Sequence, residues 1–220
     1  MIETYDQIRI INLVARADRR RQMISELRRL GLGADPRVEF FAAVVPDDAG
    51  PWPNPGARGC YMSHLSILRA AQAVGASVLI LEDDCDFTEA ALKSQWGQGS
   101  DIFCGGFGAT DYANLDNSDI QGSHCIGFDR AVIGRLIRFL EDLTHTTSPP
   151  PIDGAYVEFR RANPDVRTEF ARPQVAIQRQ SSSDISPGRF DRNKLSRLAV
   201  GLLRKLNRGR NRRRRMMDGL

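Results

Sequence analysis

The stretch Val78-Leu79-Ile80-Leu81-Glu82-Asp83-Asp84-Cys85-Asp86-Phe87 decides how the rest of the chain is interpreted. Its first four residues are apolar and two of them are β-branched, which predicts a buried strand. Four acids occupy the next five positions. Because carboxylates packed side by side in a core repel one another and lose their hydration, we expect these acids where the strand leaves the sheet.

The position of the acids at a strand end predicts a metal site. Open α/β sheets bind their ligands outside the carboxyl ends of the strands. Oxygen ligands gathered there suit Mg²⁺ or Mn²⁺, usually with a phosphate group that shares the ion. The alternative interpretation is a solvated acidic turn that caps a helix.

Strands and helices alternate along the chain, which predicts an α/β fold with a central, mostly parallel sheet. The first helix is expected to be capped by Asp18, and the proline- and glycine-rich residues 46–59 are expected to form a loop. The second helix is expected to place Ser63 and His64 in its first turn, where backbone amides attract anions. The predicted strands are 7–13, 78–81, 101–104, 124–128 and 175–178. The predicted helices are 18–30, about 61–74, 129–143 and 152–161.

Length and composition narrow the possible classes. A chain of 220 residues can form one sizeable α/β domain, and it contains no run of 18 apolar residues. The first residues lack a basic region followed by a long apolar segment, which argues against a secretory signal. The four cysteines include no CxxC pair, which argues against a zinc site and implies no disulfide. The simplest assignment is that the four cysteines are free thiols of a cytosolic protein.

Residues 189–220 are predicted to be a separate basic tail that follows a domain at 1–188. The tail holds 12 Lys/Arg and two Asp/Glu; its net charge of +10, within a total of +4, leaves −6 for the rest. Apolar residues recur at helical spacing from 195 to 206, and an arginine cluster follows. This pattern predicts contact with an anionic membrane surface through 194–215. A helix docked on the domain is the alternative, and the lack of aromatic residues from 191 to 220 argues against nucleic acid.

Taken in order, four segments resemble glycosyltransferase family 25, which includes bacterial lipooligosaccharide galactosyltransferases. They are an "INL…R…DR" strand and turn at 11–20, a "GxxGCxxSH" helix start at 56–64, the "LEDD" strand end at 81–84 and a Pro-x-Asp segment at 151–156, followed by Gln178 and 183–185. The resemblance spans about residues 7–186. It implies a GT-A fold, a divalent metal, a UDP-sugar donor (usually UDP-galactose) and transfer with inversion to a glycan acceptor.

The resemblance also implies roles for particular residues. Asp84 is the first choice of metal ligand, with Glu82, Asp86 and Asp184 as further candidates. The family position of Asp86 is usually not acidic, so the ligand pair stays open, and Asp86 can instead cap a helix at Thr88. The candidates for donor binding are Asn12, Leu13, Arg16, Arg19, Ser63, His64 and Asp83.

An inverting transfer needs a base that deprotonates the attacking hydroxyl. Asp153 is the first candidate, because it lies in the Pro-x-Asp segment, and Asp111 is the second. The alternative for Asp153 is a helix cap. His64 has a structural histidine as its alternative, and His124 is a minor candidate.

Together with the basic tail, the resemblance implies a Mn²⁺- or Mg²⁺-dependent enzyme on the cytoplasmic face of a bacterial inner membrane. Its acceptor would be lipopolysaccharide, lipooligosaccharide or another cell-surface glycan. One rival hypothesis is a non-catalytic, membrane-associated protein that keeps the fold. Another is a phosphohydrolase or nucleotidyltransferase that uses the same acids.

Overall fold

A six-stranded sheet forms the centre of the computed structural model, which describes residues 4–93 and 95–179. The helices are α1 (Ala17–Arg29), α2 (Pro55–Ala73), α3 (Arg130–Thr144) and α4 (Ile152–Ala162), and a 3-10 helix covers Glu89–Leu92. The strands are β1 (Gln7–Asn12), β2 (Val38–Ala42), β3 (Val78–Glu82), β4 (Cys85–Phe87), β5 (Ile102–Cys104), β6 (Gly108–Ala109), β7 (Ile120–Gln121), β8 (Cys125–Phe128), β9 (Thr168–Phe170) and β10 (Ala176–Gln178).

The central sheet has the order β2-β1-β3-β8-β5-β9. Strand β8 runs antiparallel to both of its neighbours, and every other pairing in this sheet is parallel. The predicted α/β class with a mostly parallel sheet is therefore confirmed. The reversal of β8 has a consequence for the site, because it brings the start of β8 to the same edge as the carboxyl ends of β1, β3 and β5.

Both faces of the sheet are covered. Leu79 and Leu81 belong to the apolar cluster that also contains Met23 and Leu27 of α1. Side chains alternate along a strand, so the fully buried Val78 and Ile80 point to the other face. The run of four apolar residues at 78–81 thus reflects a strand that is buried on both sides, as expected in an α/β sheet.

Helix α2 begins earlier than the sequence pattern predicted, so the predicted loop at 46–59 is wrong for its last five residues. Asn54 is the cap, and its side-chain oxygen accepts a hydrogen bond of 2.8 Å from the backbone N–H of Ala57. Pro55 occupies the first helical position, where its missing N–H costs nothing. Ser63 and His64 consequently lie more than two turns into the helix, away from the amides of its first turn.

Two further expectations need correction, and two other predicted features lie outside the described residues. Asp18 lies inside the first turn of α1 rather than at its cap, which is Arg16. Strand β2 was not predicted, although it pairs with β1 from Ile8 to Asn12. Among the described residues no helix is long and apolar enough to cross a membrane. Asp184 and the basic tail at 189–220 lie outside the described ranges.

Candidate functional site

Polar side chains from the ends of two strands and from the turn after the second of them converge at one edge of the sheet. Asn12 ends β1, Glu82 ends β3, and Asp83 and Asp84 form the turn that leads into β4. Backbone hydrogen bonds fix this arrangement: the Glu82 N–H donates to the carbonyl of His124, and the Asp83 N–H donates to the carbonyl of Ile11. The acids therefore sit at the edge that the sequence pattern predicted.

Asp83 is a structural carboxylate. The residue is 5% exposed, and both of its carboxylate oxygens accept hydrogen bonds. Asn12 Nδ2 donates to Oδ2 at 2.6 Å, and Arg19 Nη1 donates to Oδ1 at 2.9 Å. The three residues link β1, α1 and the acidic turn through a buried ion pair. Asn12, Arg19 and Asp83, all predicted to bind the donor, are here bonded to one another.

Asp84 differs from its neighbour in its partners. It is 7% exposed, and its Oδ1 has no hydrogen-bond partner among the described residues. Its Oδ2 accepts a long hydrogen bond of 3.3 Å from Gln178 Nε2 and lies 3.6 Å from Arg19 Nη1. Burial, and next the Glu82 carboxylate, raise the pKa of Asp84 to about 6. Asp84 is thus a buried carboxylate whose neighbours supply too little positive charge to balance its own negative charge.

Glu82 lies beside Asp84 and is held by two groups. Ser123 Oγ donates to Glu82 Oε1 at 2.5 Å, and His64 Nε2 lies 3.7 Å from the same oxygen. Burial acts to raise the pKa of Glu82, but His64 and Ser123 together keep it below its usual value. Ser123 reaches Glu82 because it directly precedes the reversed strand β8.

His64 is fully buried, at 0% exposure, and its two ring nitrogens have different surroundings. Nδ1 forms a 2.9 Å hydrogen bond with the hydroxyl of Tyr156 on α4. Nε2 faces Glu82. Cys60 lies one turn earlier on α2, and its thiol groups with His64 Nε2 and the Glu82 carboxylate.

Asp86 is not part of the cluster. It lies inside β4, paired with Ile177 of β10, and Arg179 Nε donates to its Oδ1 at 2.8 Å. The idea that Asp86 caps a helix is wrong, because the cap of the 3-10 helix is Thr88. The pairing with Arg179 gives Asp86 a local role at the edge of the small β4–β10 sheet.

Three other donor candidates have structural partners. Arg16 pairs with Asp18 through two hydrogen bonds of 3.0 Å, which lower the pKa of Asp18 to about 2. Ser63 Oγ donates to the Gly59 carbonyl and accepts from the Val44 N–H, at 2.7 and 2.9 Å. Leu13 contributes its carbonyl to the turn after β1, where the Arg16 N–H donates to it.

The two candidate bases lie in different settings. Asp153 is half-buried in the first turn of α4, where Oδ2 accepts from the Gly122 N–H at 3.0 Å and Oδ1 from the Gly154 N–H at 2.9 Å. Asp111 is exposed, and its Oδ1 accepts from the N–H groups of Ala113 and Asn114 in a tight turn. Asp153 also lies near enough to Cys60 to raise the pKa of its thiol.

Sequence reasoning missed the groups that support the cluster. Ser123, Tyr156 and Cys60 were not among the candidate site residues. A signal existed for Cys60, because a cysteine and a histidine four positions apart share one face of a helix. No such signal existed for Ser123, whose place depends on the reversal of β8.

Comparison with known proteins adds no assignment. No model of a protein family matches the chain, and no curated protein matches it.

Proposed function

We propose that this chain is a metal-dependent, inverting glycosyltransferase that resembles family 25 and uses a UDP-sugar donor, with UDP-galactose as the first candidate. The observation that carries the proposal is the buried carboxylate of Asp84 at the carboxyl end of β3, with one oxygen unsatisfied and Glu82 beside it. A buried carboxylate without a partner is costly, and a bound cation would offset this cost. The ordered sequence motifs supply the link to sugar transfer.

We also propose that this α/β domain has the GT-A fold. An α/β sheet with a single reversed strand next to the acid-tipped strand is compatible with it. Because a fold alone does not fix a reaction, the proposed activity depends on the residues of the site.

The chemistry of the donor set fits Mn²⁺ or Mg²⁺. Asp84 would hold the ion, and Glu82 offers a second carboxylate that lies near enough to raise the pKa of Asp84. When bound, such an ion acts as a Lewis acid that offsets the charge of the departing diphosphate. Asp86 and Asp184 are not needed for this assignment, since Asp86 is paired with Arg179 and Asp184 lies outside the described residues.

The surrounding residues would position the turn and the acceptor. The buried contacts of Asp83 with Asn12 and Arg19 fix the backbone from which Asp84 projects. Asp153 remains the proposed base because it lies in the Pro-x-Asp segment, and two backbone N–H groups orient its carboxylate at the start of α4. The acceptor is proposed to be a cell-surface glycan such as lipopolysaccharide, met at the cytoplasmic side of the inner membrane through the basic tail.

The direct test is a donor screen. The purified protein is incubated with Mn²⁺ and a panel of UDP-sugars, and the release of UDP is measured. We expect release with one donor and none from Asp84→Asn. Free phosphate or pyrophosphate in place of UDP would point to a phosphohydrolase or a nucleotidyltransferase. If UDP is neither released nor bound, the result favours the non-catalytic alternative.

The raised pKa of Asp84 predicts the pH dependence of donor binding. Because a protonated carboxyl does not bind the ion, affinity for Mn²⁺ with a UDP-sugar should fall as the pH drops through about 6, by up to ~10-fold per pH unit. An intact UDP-sugar is the proper ligand, since its diphosphate does not titrate in this range. Affinity that is constant from about pH 5 to about pH 8 would contradict this role of Asp84.

A further inference from the structure

Three potential metal ligands meet beside the acidic turn without involving Asp84. Cys60 and His64 lie four positions apart on α2 and so share one face, and Glu82 ends β3. One ligand atom from each side chain, a sulfur, an imidazole nitrogen and a carboxylate oxygen, lies within 4.8 Å of the other two. Ligands about 2.0–2.3 Å from a tetrahedral Zn²⁺ are roughly 3.3–3.8 Å apart, so a small inward shift closes the set.

His64 supplies the second, independent observation. The residue is completely buried, and within the described chain Nε2 makes no hydrogen bond. This nitrogen points into the cluster, 3.7 Å from Glu82 Oε1. A buried nitrogen without a partner is costly, and coordination to a cation would satisfy it.

The groups behind the ligands match what a metal site requires. A histidine that binds a metal through Nε2 must carry its proton on Nδ1 and donate it to an acceptor. The Tyr156 hydroxyl lies 2.9 Å from Nδ1, and its oxygen can accept this hydrogen bond. Ser123 similarly fixes one oxygen of Glu82.

A cysteine nucleophile activated by His64 is the competing interpretation, and the geometry disfavours it. An activated thiol needs a histidine nitrogen that is free to take its proton, with a carboxylate or amide on the other nitrogen to orient the ring. His64 Nε2 faces the Glu82 carboxylate as well as Cys60, and the group on Nδ1 is the hydroxyl of Tyr156.

We propose that Cys60, His64 and Glu82 form a second metal site, selective for a borderline cation such as Zn²⁺. Thiolate and imidazole ligands favour Zn²⁺ over Mn²⁺ or Mg²⁺, which prefer the oxygens of Asp84. Three protein ligands leave one coordination position open, and the ion would tie helix α2 to the end of β3. This inference does not depend on the proposed transferase activity, because it requires neither a donor nor an acceptor.

The test uses Co²⁺ as a spectroscopic probe of the full-length, metal-free protein. We expect wild type to bind one Co²⁺ at this site, with the visible bands of tetrahedral coordination and a near-ultraviolet charge-transfer band from the thiolate. Cys60→Ser should remove the charge-transfer band, while Cys104→Ser, a buried cysteine of β5, should keep it. Zn²⁺ should displace Co²⁺, whereas excess Mg²⁺ should not.

A graded variant separates coordination from general packing. Tyr156→Phe removes only the hydroxyl that contacts His64 Nδ1, and we expect it to weaken Co²⁺ binding by about 10–100-fold while the charge-transfer band persists at saturation. Wild type that shows no charge-transfer band at saturating Co²⁺ would overturn the proposal without relying on any variant. So would a band of unchanged intensity in folded Cys60→Ser.

Discussion

Asp83→Asn should destabilise the protein by about 3–5 kcal/mol, as expected when one partner of a buried ion pair is removed. The variant withdraws the carboxylate that Arg19 contacts at 2.9 Å inside the protein. It also places an amide between two donors, since Asn12 Nδ2 and Arg19 Nη1 both point at this side chain. An asparagine has one oxygen, so one donor must face its NH₂ group.

Urea denaturation of wild type and Asp83→Asn measures this loss. Asp142→Asn, at an exposed carboxylate of α3, makes the same chemical change where burial plays no part, and should change stability by less than about 0.5 kcal/mol. In a double-mutant cycle with Arg19→Met, the two single effects should add to clearly more than the effect of the double variant. Equal stability of Asp83→Asn and Asp142→Asn would show that the buried pair does not hold the acidic turn.

Asp84→Asn should have the opposite effect on stability although it lies at the next position. In the metal-free protein the pKa of Asp84 is about 6, above its usual value of 3.8. The charged form is therefore disfavoured in the folded state, and stability should fall as the pH rises from about 4 through 6. The fall amounts to at most about 3 kcal/mol, and asparagine, which carries no charge, should recover it.

The same substitution should abolish UDP release, with a loss of at least ~1,000-fold, because the oxygen that would bind the ion becomes an amide. A variant that is inactive yet more stable at about pH 8 is the signature of a residue kept for function at a cost in stability. Thermal unfolding of both proteins at about pH 5 and about pH 8, without metal, measures the stability part. An Asp84→Asn protein that is less stable than wild type at about pH 8 would contradict the assignment.

The sequence predicted the sheet edge and its acids because both arise from local patterns. The apolar run at 78–81, with its two β-branched residues, is typical of a strand buried on both faces, and a cluster of carboxylates is not expected inside it. The different roles of Asp83 and Asp84 were not predictable, since they depend on the hydrogen bond that Arg19 of α1 donates to Asp83. Two adjacent aspartates in the sequence became one paired and one unsatisfied group through tertiary contacts.

Other differences have identifiable physical causes. The early start of α2 was marked by Asn54 and Pro55, a good cap followed by a residue suited to the first turn, but the surrounding prolines and glycines favoured a loop. Strand β2 has a weak pattern, because all five of its residues are at least partly exposed. The cluster of Cys60, His64 and Glu82 combines a helix spacing that is visible in the sequence with a strand end that only the fold brings beside it.

Calorimetric titration of UDP in the presence of Mn²⁺ tests most directly whether Asp84 is the centre of a nucleotide–metal site. We expect saturable binding to wild type and to Asp142→Asn that disappears when Mn²⁺ is omitted, and at least ~100-fold weaker binding to Asp84→Asn. Binding of equal strength to wild type and to folded Asp84→Asn would contradict the account.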